Sequence, residues 1–516
     1  MASTPETGPS LAQDPTGASS DIRADSESRL TGDTTTAVVA GARVVMLSQG
    51  FTITTRLVTS VLVAIMLGPK AIGVVAIAQT VMLLFDQIRD MGTGIALIQR
   101  PQLTNSIICT VFFFNVLVGL SLMLLQMAIS QPVGELMRAP QAGAVLLALA
   151  PIPLILSLGQ VHHALLRRDL KYREIGLLNA ISAAANAVAT IAGALAGLGA
   201  WALALGIAVG YCVDTALTWH FDKWRPWPSW QVEWRSMREI AGFSTHLFLA
   251  NGVGFVFSQA DKFLVGRWLG VASLGLYALA QRVLNYPRSA VSNVVGEVTL
   301  PAFAKHQADN SALQSGFTRS ARVVALLTFP LMAGAAVVAR PMVDGGMSPQ
   351  WHDLAVLIWI LAPLGAIQSI TTLAGSLIMA KGRGGAYMWF TLLATLPVLA
   401  TFAFCMRWGL AAACVGAAAM YVALTPFMLS MCFREIAMSR RKFFGDMAAV
   451  TLITVVMAAG VLGVESLLSG HVHDLTRMFV GIATGTAIYG GLMLLFRPAA
   501  LKDTVEAVFR RRRQPA

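Results

Sequence analysis

The chain has 516 residues, of which 56% are hydrophobic and only 12% are Asp, Glu, Lys or Arg. Soluble domains carry about 25% charged residues, so this composition excludes an ordinary soluble enzyme and predicts a polytopic membrane protein. The formal net charge of +12 does not indicate a nucleic-acid partner, because the Lys and Arg residues lie in short connections between hydrophobic runs, which is the pattern of membrane topology.

Residues 1–36 form a polar segment that precedes the first hydrophobic run. The segment is rich in Ser, Thr, Asp, Gly and Pro, and it is predicted to be a disordered cytoplasmic tail because it has too few apolar residues to order itself. About fourteen hydrophobic segments follow, each close to the roughly 20 residues that a spanning helix needs. A bilayer cannot hydrogen-bond exposed backbone, so an all-α fold is expected. The predicted spans are 40–66, 71–98, 107–130, 143–166, 176–196, 200–219, 240–265, 273–299, 318–340, 353–379, 387–406, 410–433, 446–467 and 477–496.

The distribution of Lys and Arg predicts the orientation. Alternate connections are rich in basic residues, for example around 167–173 and 434–442, whereas the opposite connections hold few. Basic loops stay in the cytoplasm, so both termini are predicted to lie on the cytoplasmic side of a bacterial inner membrane. Residues 497–516 contain four consecutive arginines and are predicted to be a basic cytoplasmic tail that contacts anionic lipid.

The chain contains an internal repeat. Residues 67–81 read LGPKAIGVVAIAQTV, and residues 269–283 read LGVASLGLYALAQRV. The copies are six helices apart, which predicts two parallel, pseudo-symmetric six-helix lobes with a substrate site between them near the midplane. The predicted organisation is an N-terminal lobe at 37–219, an amphipathic linker at 220–239, a C-terminal lobe at 240–434 and two additional helices at 435–496.

The linker is unusually rich in tryptophan. It carries Trp224, Trp227, Trp230 and Trp234 among Lys and Arg residues. This composition predicts a segment at the lipid headgroups. A mechanical connection between moving lobes is the alternative.

Four longer motifs carry a resemblance to a known family. They are residues 67–104, which begin LGPKAIGVVAIAQTV, LLRRDLKYREI at 165–175, DKFLVGRWLGVASLGLYALAQRV at 261–283 and LPAFAK at 300–305. Together they resemble the polysaccharide transporters of the O-antigen and exopolysaccharide flippase type, in the multidrug/oligosaccharidyl-lipid/polysaccharide exporter superfamily. The resemblance implies a two-lobed helical transporter that exports polyprenyl-pyrophosphate-linked sugar units by alternating access.

One element is also similar to lipid II flippases. Ala280-Gln281-Arg282-Val283, followed by Pro287 and Leu300-Pro301, is similar to their Ala-Asp-Arg-Leu…Leu-Pro element, in which the arginine acts on the lipid pyrophosphate. Arg282 occupies that position. Gln281 replaces the preceding acid, so no role of that acid is transferred to this chain.

Polar residues inside the predicted spans indicate a cavity. An ionised group at mid-bilayer costs about 2.5–3.5 kcal/mol, so such groups usually face protein, water or substrate. Helices 1, 2, 7 and 8 carry polar residues at spacings of three, four or seven, which places them on one face of each helix. The residues expected to line a shared cavity are Thr52, Gln79, Gln281 and Asn285.

Charged residues on the same helices are candidate functional groups. A guanidinium can bind two oxygens of a pyrophosphate at once, so Arg56, Arg89 and Arg282 are the candidate sites for the lipid pyrophosphate. Asp86, Asp90 and Asp261 are candidates for coupling an ion gradient to motion. A structural ion pair of Arg89 with one of the first two acids, and a structural role for Asp261, are the alternatives. His162 and His163 are expected to be packing or interface residues.

No catalytic set is expected. The sequence lacks a nucleotide-binding glycine loop, a Gly-x-Ser-x-Gly elbow and a His-Glu-x-x-His motif, and its five cysteines have no metal-ligand spacing. We therefore expect no enzyme activity, no cofactor and no metal. The expected partners are a polyprenyl-pyrophosphate-linked oligosaccharide and membrane lipids, with the polysaccharide polymerase and export machinery as further candidates. The alternative functions are a multidrug or metabolite exporter and a membrane-embedded polymerase or glycosyltransferase.

Overall fold

The computed structural model describes residues 44, 47–90, 92–100, 103–226 and 259–496. This part of the chain is helical and contains no β-strand. Twelve of its helical segments are long and apolar enough to cross a bilayer. The chain is therefore a multi-pass membrane protein, and the predicted all-α fold is confirmed.

The first six spans are built from eight helices, because two predicted spans are interrupted. Gly92 lies between two helices with a φ of 72°, a left-handed conformation that glycine adopts without strain. The other interruption lies at Pro151, next to Pro153 in the first turn of the following helix, where proline is well tolerated. The helices are α1 (Leu47–Met66), α2 (Pro69–Asp90), α3 (Thr93–Gln99), α4 (Asn105–Leu136), α5 (Pro140–Ala148), α6 (Ile152–Arg168), α7 (Tyr172–Leu195) and α8 (Ala200–Phe221).

The second group of spans begins with residues 259–264, here called α9, which continue into a π-helical turn at Val265–Leu269. The following helices are α10 (Val271–Lys305), α11 (Asn310–Val337), α12 (Ala339–Gly346), α13 (His352–Ala380), α14 (Gly384–Cys405), α15 (Leu410–Glu435), α16 (Arg440–Leu468) and α17 (Asp474–Phe496).

The predicted total of fourteen spans stays a prediction. The helix α10 has 35 residues, but its many polar side chains keep it outside the twelve strongly apolar segments. Most of the predicted span at 240–265 lies outside the described residues, as do the two terminal tails and the linker after residue 226.

The two lobes meet where α2 and α10 cross at their N-terminal ends. A Cβ atom on Gly73 would collide with the carbonyl oxygen of Val271, and one on Gly275 would collide with that of Pro69. These four residues, here called the glycine crossing, are two equivalent pairs in the sequence repeat. The reciprocal contact is the arrangement that a pseudo-two-fold axis between the lobes requires. A buried core that includes Ile72–Ala78 and Leu274–Ala280 surrounds it.

The last two helices pack on the C-terminal lobe. The ring of Phe443 on α16 stacks on that of Phe317 on α11, with centroids 5.5 Å apart. Close by, Arg322 Nη2 on α11 donates to Asp446 Oδ1 on α16 at 2.6 Å. Both side chains are largely buried, with 19% and 23% of their surfaces exposed, so this ion pair joins α16 to the lobe.

Replacing Arg322 with Met is expected to lower the stability of the protein by about 3 kcal/mol or more, because a buried ion pair that loses one partner leaves the other charge uncompensated. The melting temperature of the purified protein measures the effect. The double variant Arg322→Met/Asp446→Leu is expected to recover most of the loss, since apolar replacement of both partners is often neutral. Equal losses in the single and double variants would contradict this account of the pair.

Candidate functional site

A cavity of about 490 Å³, here called the central cavity, lies between the lobes. Along α2 and α10 it follows the glycine crossing, toward the C-terminal end of each helix. Its wall combines residues of α1, α2, α6, α7 and α8 with Lys262 and residues of α10. Four cationic side chains and two carboxylates line it, so the charge of the described wall is net positive. These six residues of the central cavity are Arg56, Asp86, Arg89, Asp214, Lys262 and Arg282.

Arg282 connects the two lobes inside the central cavity. Its Nη2 atom donates a hydrogen bond to the side-chain carbonyl oxygen of Gln79 on α2. A neutral amide oxygen does not neutralise a guanidinium, and five N–H donors are available to this side chain. Several donors of Arg282 therefore remain for an anion in the cavity.

Arg56 lies on α1 in the N-terminal lobe, and its exposed side chain lines the same cavity. Arg56 makes no hydrogen bond or ion pair to any residue in the described part of the chain. An arginine facing water at bilayer depth without a protein counter-ion is suited to bind an anionic ligand.

Arg89 is engaged with protein groups. Its Nε and Nη2 atoms donate to Asp86 Oδ1 at 3.1 and 2.8 Å, and its Nη1 atom donates to Gln160 Oε1 at 2.9 Å. Gln160 in turn donates to Thr93 Oγ1 at 3.3 Å. A structural ion pair with Asp86 was the alternative to a substrate-binding role for Arg89. This pair fixes the orientation of the Arg89 side chain at the cavity wall.

The remaining predicted residues are placed in different surroundings. Gln79, Gln281 and Asn285 line the central cavity. Thr52 is buried and is not part of that wall. The side chain of Asp90 lies outside the described part of the structure.

Asp261 faces a second cavity of about 650 Å³ in the C-terminal lobe. Its Oδ2 atom accepts hydrogen bonds from Tyr277 Oη at 2.6 Å and from Gln281 Nε2 at 3.1 Å. The second cavity shares Lys262, Gln281 and Asn285 with the central cavity. The two cavities are thus adjacent and have a common wall.

Several residues that line the central cavity were not predicted from the sequence. Asn179, Ser182, Asn186 and Thr190 on α7 all face it. Their spacing of three or four residues places them on one face of α7. The same spacing of polar residues marked helices 1, 2, 7 and 8 in the sequence, so this signal was also present in the fifth predicted span, which corresponds to α7. Asp214 on α8, which corresponds to the sixth predicted span, was also not predicted from the sequence.

The two adjacent histidines form different contacts with acids on or after α8. His162 is buried among Phe112, Trp219 and Trp224, and its Nδ1 atom lies 2.7 Å from Asp222 Oδ2. This is the packing role expected from the sequence. His163 differs, because its Nε2 atom lies 2.9 Å from Oδ2 of the cavity residue Asp214.

The chain is similar to proteins of polysaccharide biosynthesis. A family model described as "Polysaccharide biosynthesis protein" matches residues 62–356, more than half of the chain. The lipopolysaccharide biosynthesis protein WzxC of Escherichia coli (strain K12) is 24% identical over 349 residues, which cover 67% of this chain and 70% of that protein. The succinoglycan biosynthesis transport protein ExoT of Rhizobium meliloti (strain 1021) is 24% identical over 360 residues, which cover 70% and 72%.

A solved structure has a similar fold. The lipid II flippase MurJ, in its inward closed conformation, superimposes with a TM-score of 0.70 at 12% sequence identity. The match covers 89% of this chain and 99% of that chain. It shows that this chain shares the fold of that protein.

Proposed function

Because the chain belongs to the polysaccharide biosynthesis protein family, we propose that it moves polyprenyl-pyrophosphate-linked oligosaccharide repeat units across the cell membrane by alternating access. Relatives are named for lipopolysaccharide biosynthesis and for succinoglycan transport. The neighbour in fold is named a lipid II flippase. From these names together we infer that the substrate of this chain is a lipid-linked saccharide.

The net positive charge of the central cavity is the observation that carries this proposal. A pyrophosphate presents several anionic oxygens, and guanidinium groups bind such oxygens in pairs. Arg56 and Arg282 approach the cavity from opposite lobes without carboxylate partners among the described residues. We assign them to the lipid pyrophosphate, with Arg89, held by Asp86, as a third positive charge at the wall.

We infer from the glycine crossing that the substrate enters from the cytoplasm. The distribution of basic loops predicts that the glycine crossing lies on the outer side of the membrane. The central cavity begins below this crossing, so we propose that the described state is closed to the outside. Export would then require the lobes, 37–219 and 240–434, to separate at the crossing and to approach each other at the cytoplasmic side. The linker 220–239 would connect them during that motion.

A driving ion would act on carboxylates at the cavities. Asp86, Asp90 and Asp261 remain the candidates, and Asp261 is the one whose partners Tyr277 and Gln281 belong to the helix that carries Arg282. A change in the charge or partners of Asp261 would thus be transmitted along α10 to the substrate site. Membrane lipids are the surrounding partners, and the polymerase that uses the exported units is the expected protein partner.

Loss of the gene tests the function in the cell. We expect undecaprenyl-linked repeat units to accumulate in the cytoplasmic leaflet and the surface polysaccharide to disappear, with both effects reversed by the wild-type chain. Repeat units that still reach the outer leaflet but are not polymerised would contradict the proposal and favour a membrane-embedded polymerase. Normal polysaccharide together with sensitivity to toxic compounds would favour a multidrug exporter.

A further inference from the structure

The second cavity contains an arginine that the lipid pyrophosphate does not account for. Arg288 lies on α10 and lines the second cavity, not the central one. It is six residues after Arg282, which corresponds to about 9 Å along the helix and about 120° around it. Arg282 consequently points to α2 in the N-terminal lobe, whereas Arg288 points to α13 in the C-terminal lobe.

The local contacts of Arg288 leave its charge uncompensated. Its Nη1 atom donates to the side-chain carbonyl oxygen of Gln368 on α13, and it forms no ion pair with a residue in the described part of the chain. A charged group at this depth is costly unless it is paired. A ligand that brings a negative charge would supply the missing partner.

The walls around Arg288 fit a sugar. Tyr387, Phe390 and Tyr421 line the same cavity, and the C–H faces of a pyranose ring pack well on aromatic rings. Gln368, Thr371 and Thr425 supply amide and hydroxyl groups for the hydroxyls of a glycan. A cavity of about 650 Å³ has room for more than one sugar ring.

We propose that the second cavity is the glycan subsite of the transporter and that Arg288 binds a carboxylate on the glycan, as in a uronic acid residue. The planar fork of a guanidinium matches a carboxylate with two parallel hydrogen bonds. The shared wall of the two cavities lets one molecule place its pyrophosphate near Arg282 and its sugars near Arg288. This inference rests on the proposed function and adds the chemical class of the saccharide to it.

Binding of two matched probes to the full-length protein in lipid nanodiscs tests the inference. The probes are farnesyl-pyrophosphate-linked disaccharides that end in glucuronic acid or in glucose. Calorimetry is expected to give a dissociation constant about tenfold lower for the glucuronyl probe, since a charge-assisted pair in a partly buried site is worth about a factor of ten or more.

Two variants are expected to remove this preference. Arg288→Gln removes the positive charge, and Gln368→Glu gives Arg288 an internal carboxylate partner, so both are expected to bring the affinity for the glucuronyl probe to the level of the glucosyl probe. Arg407→Gln makes the same chemical change at an exposed residue next to Phe404, outside both cavities, and is expected to keep the tenfold preference. Elution from a size-exclusion column confirms that each variant is folded.

The possible failures are distinguishable. Equal affinity of the wild type for both probes would overturn the carboxylate subsite and leave the proposed function intact. A loss of both probes by the same factor in Arg288→Gln would also overturn it, because it would assign this arginine to the pyrophosphate. Binding of neither probe by the wild type would contradict the proposed function as well.

Discussion

Replacing Arg282 with Gln is expected to lower transport of a pyrophosphate-linked saccharide by about tenfold to a hundredfold, with normal amounts of protein in the membrane. Among the described residues, the guanidinium donates a hydrogen bond only to the neutral side-chain oxygen of Gln79, so its charge is available to the substrate. A charge-assisted hydrogen bond contributes about 1.5–3 kcal/mol, and one factor of ten corresponds to about 1.4 kcal/mol. Initial rates in reconstituted vesicles measure the effect.

Two further variants separate a loss of charge from a loss of structure. Arg282→Lys keeps the positive charge but not the two-pronged geometry, so it is expected to fall between Gln and the wild type. Arg407→Gln is the matched control outside the cavities and is expected to transport normally. Full activity of Arg282→Gln at normal expression would remove Arg282 from the pyrophosphate site.

The second large effect is expected at the glycine crossing. Gly275→Ala places a methyl group against the carbonyl of Pro69, and overpacking of this kind typically costs about 1–3 kcal/mol. The cost applies only to the state in which α2 and α10 touch. The equilibrium between the inward-open and outward-open forms is therefore expected to shift toward the outward-open form by about tenfold.

Labelling of a cysteine in the central cavity measures this shift. In a cysteine-free background, Gln79→Cys is expected to react faster with an impermeant maleimide added outside when Gly275→Ala is present. Gly73→Ala, the repeat-related change, is expected to act in the same direction because the contact is reciprocal. Gly334→Ala is the matched control, since a Cβ at this helical glycine meets no atom within 4 Å. Unchanged labelling in both crossing variants would contradict the proposed closure.

The sequence allowed most of the fold to be predicted, because long apolar runs determine where spanning helices lie. The repeat at 67–81 and 269–283 also predicted equivalent positions, and the structure places its glycines against each other. Helix ends were less predictable. For example, α11 begins at Asn310, eight residues before the apolar run, since Asp309 caps the polar first turn through hydrogen bonds to two backbone N–H groups.

The site was predictable in part. Gln79, Gln281 and Asn285 were predicted to line a shared cavity, and the structure places all three at the wall of the central cavity. The contact between Arg282 and Gln79 could not be foreseen, because it depends on how two helices from different lobes dock. Helical spacing favoured Asp86 as the partner of Arg89, since Asp86 lies three residues before it, whereas Asp90 is the next residue and adjacent residues do not face each other on a helix.

Arg288 illustrates a different limit. The polar residues of helix 8 predicted one polar face, which includes Asn285, whereas Arg288 faces another side of the same helix. A hydrophobic periodicity gives one buried face for each helix, but α10 borders two cavities and thus has two polar faces. The positions of α13, α14 and α15 show that the second face is also enclosed.

Transbilayer movement of a labelled substrate tests the central claim most directly. Purified protein is reconstituted into vesicles that contain a polyprenyl-pyrophosphate-linked saccharide with a dithionite-sensitive fluorophore. In protein-free vesicles dithionite quenches only the outer leaflet. With the wild-type chain nearly all fluorescence is expected to be quenched, whereas with Arg56→Gln/Arg282→Gln quenching is expected to stay near the protein-free level. Quenching by the double variant at the wild-type rate, or no movement with the wild type, would contradict the cationic central cavity as the path of the lipid-linked saccharide.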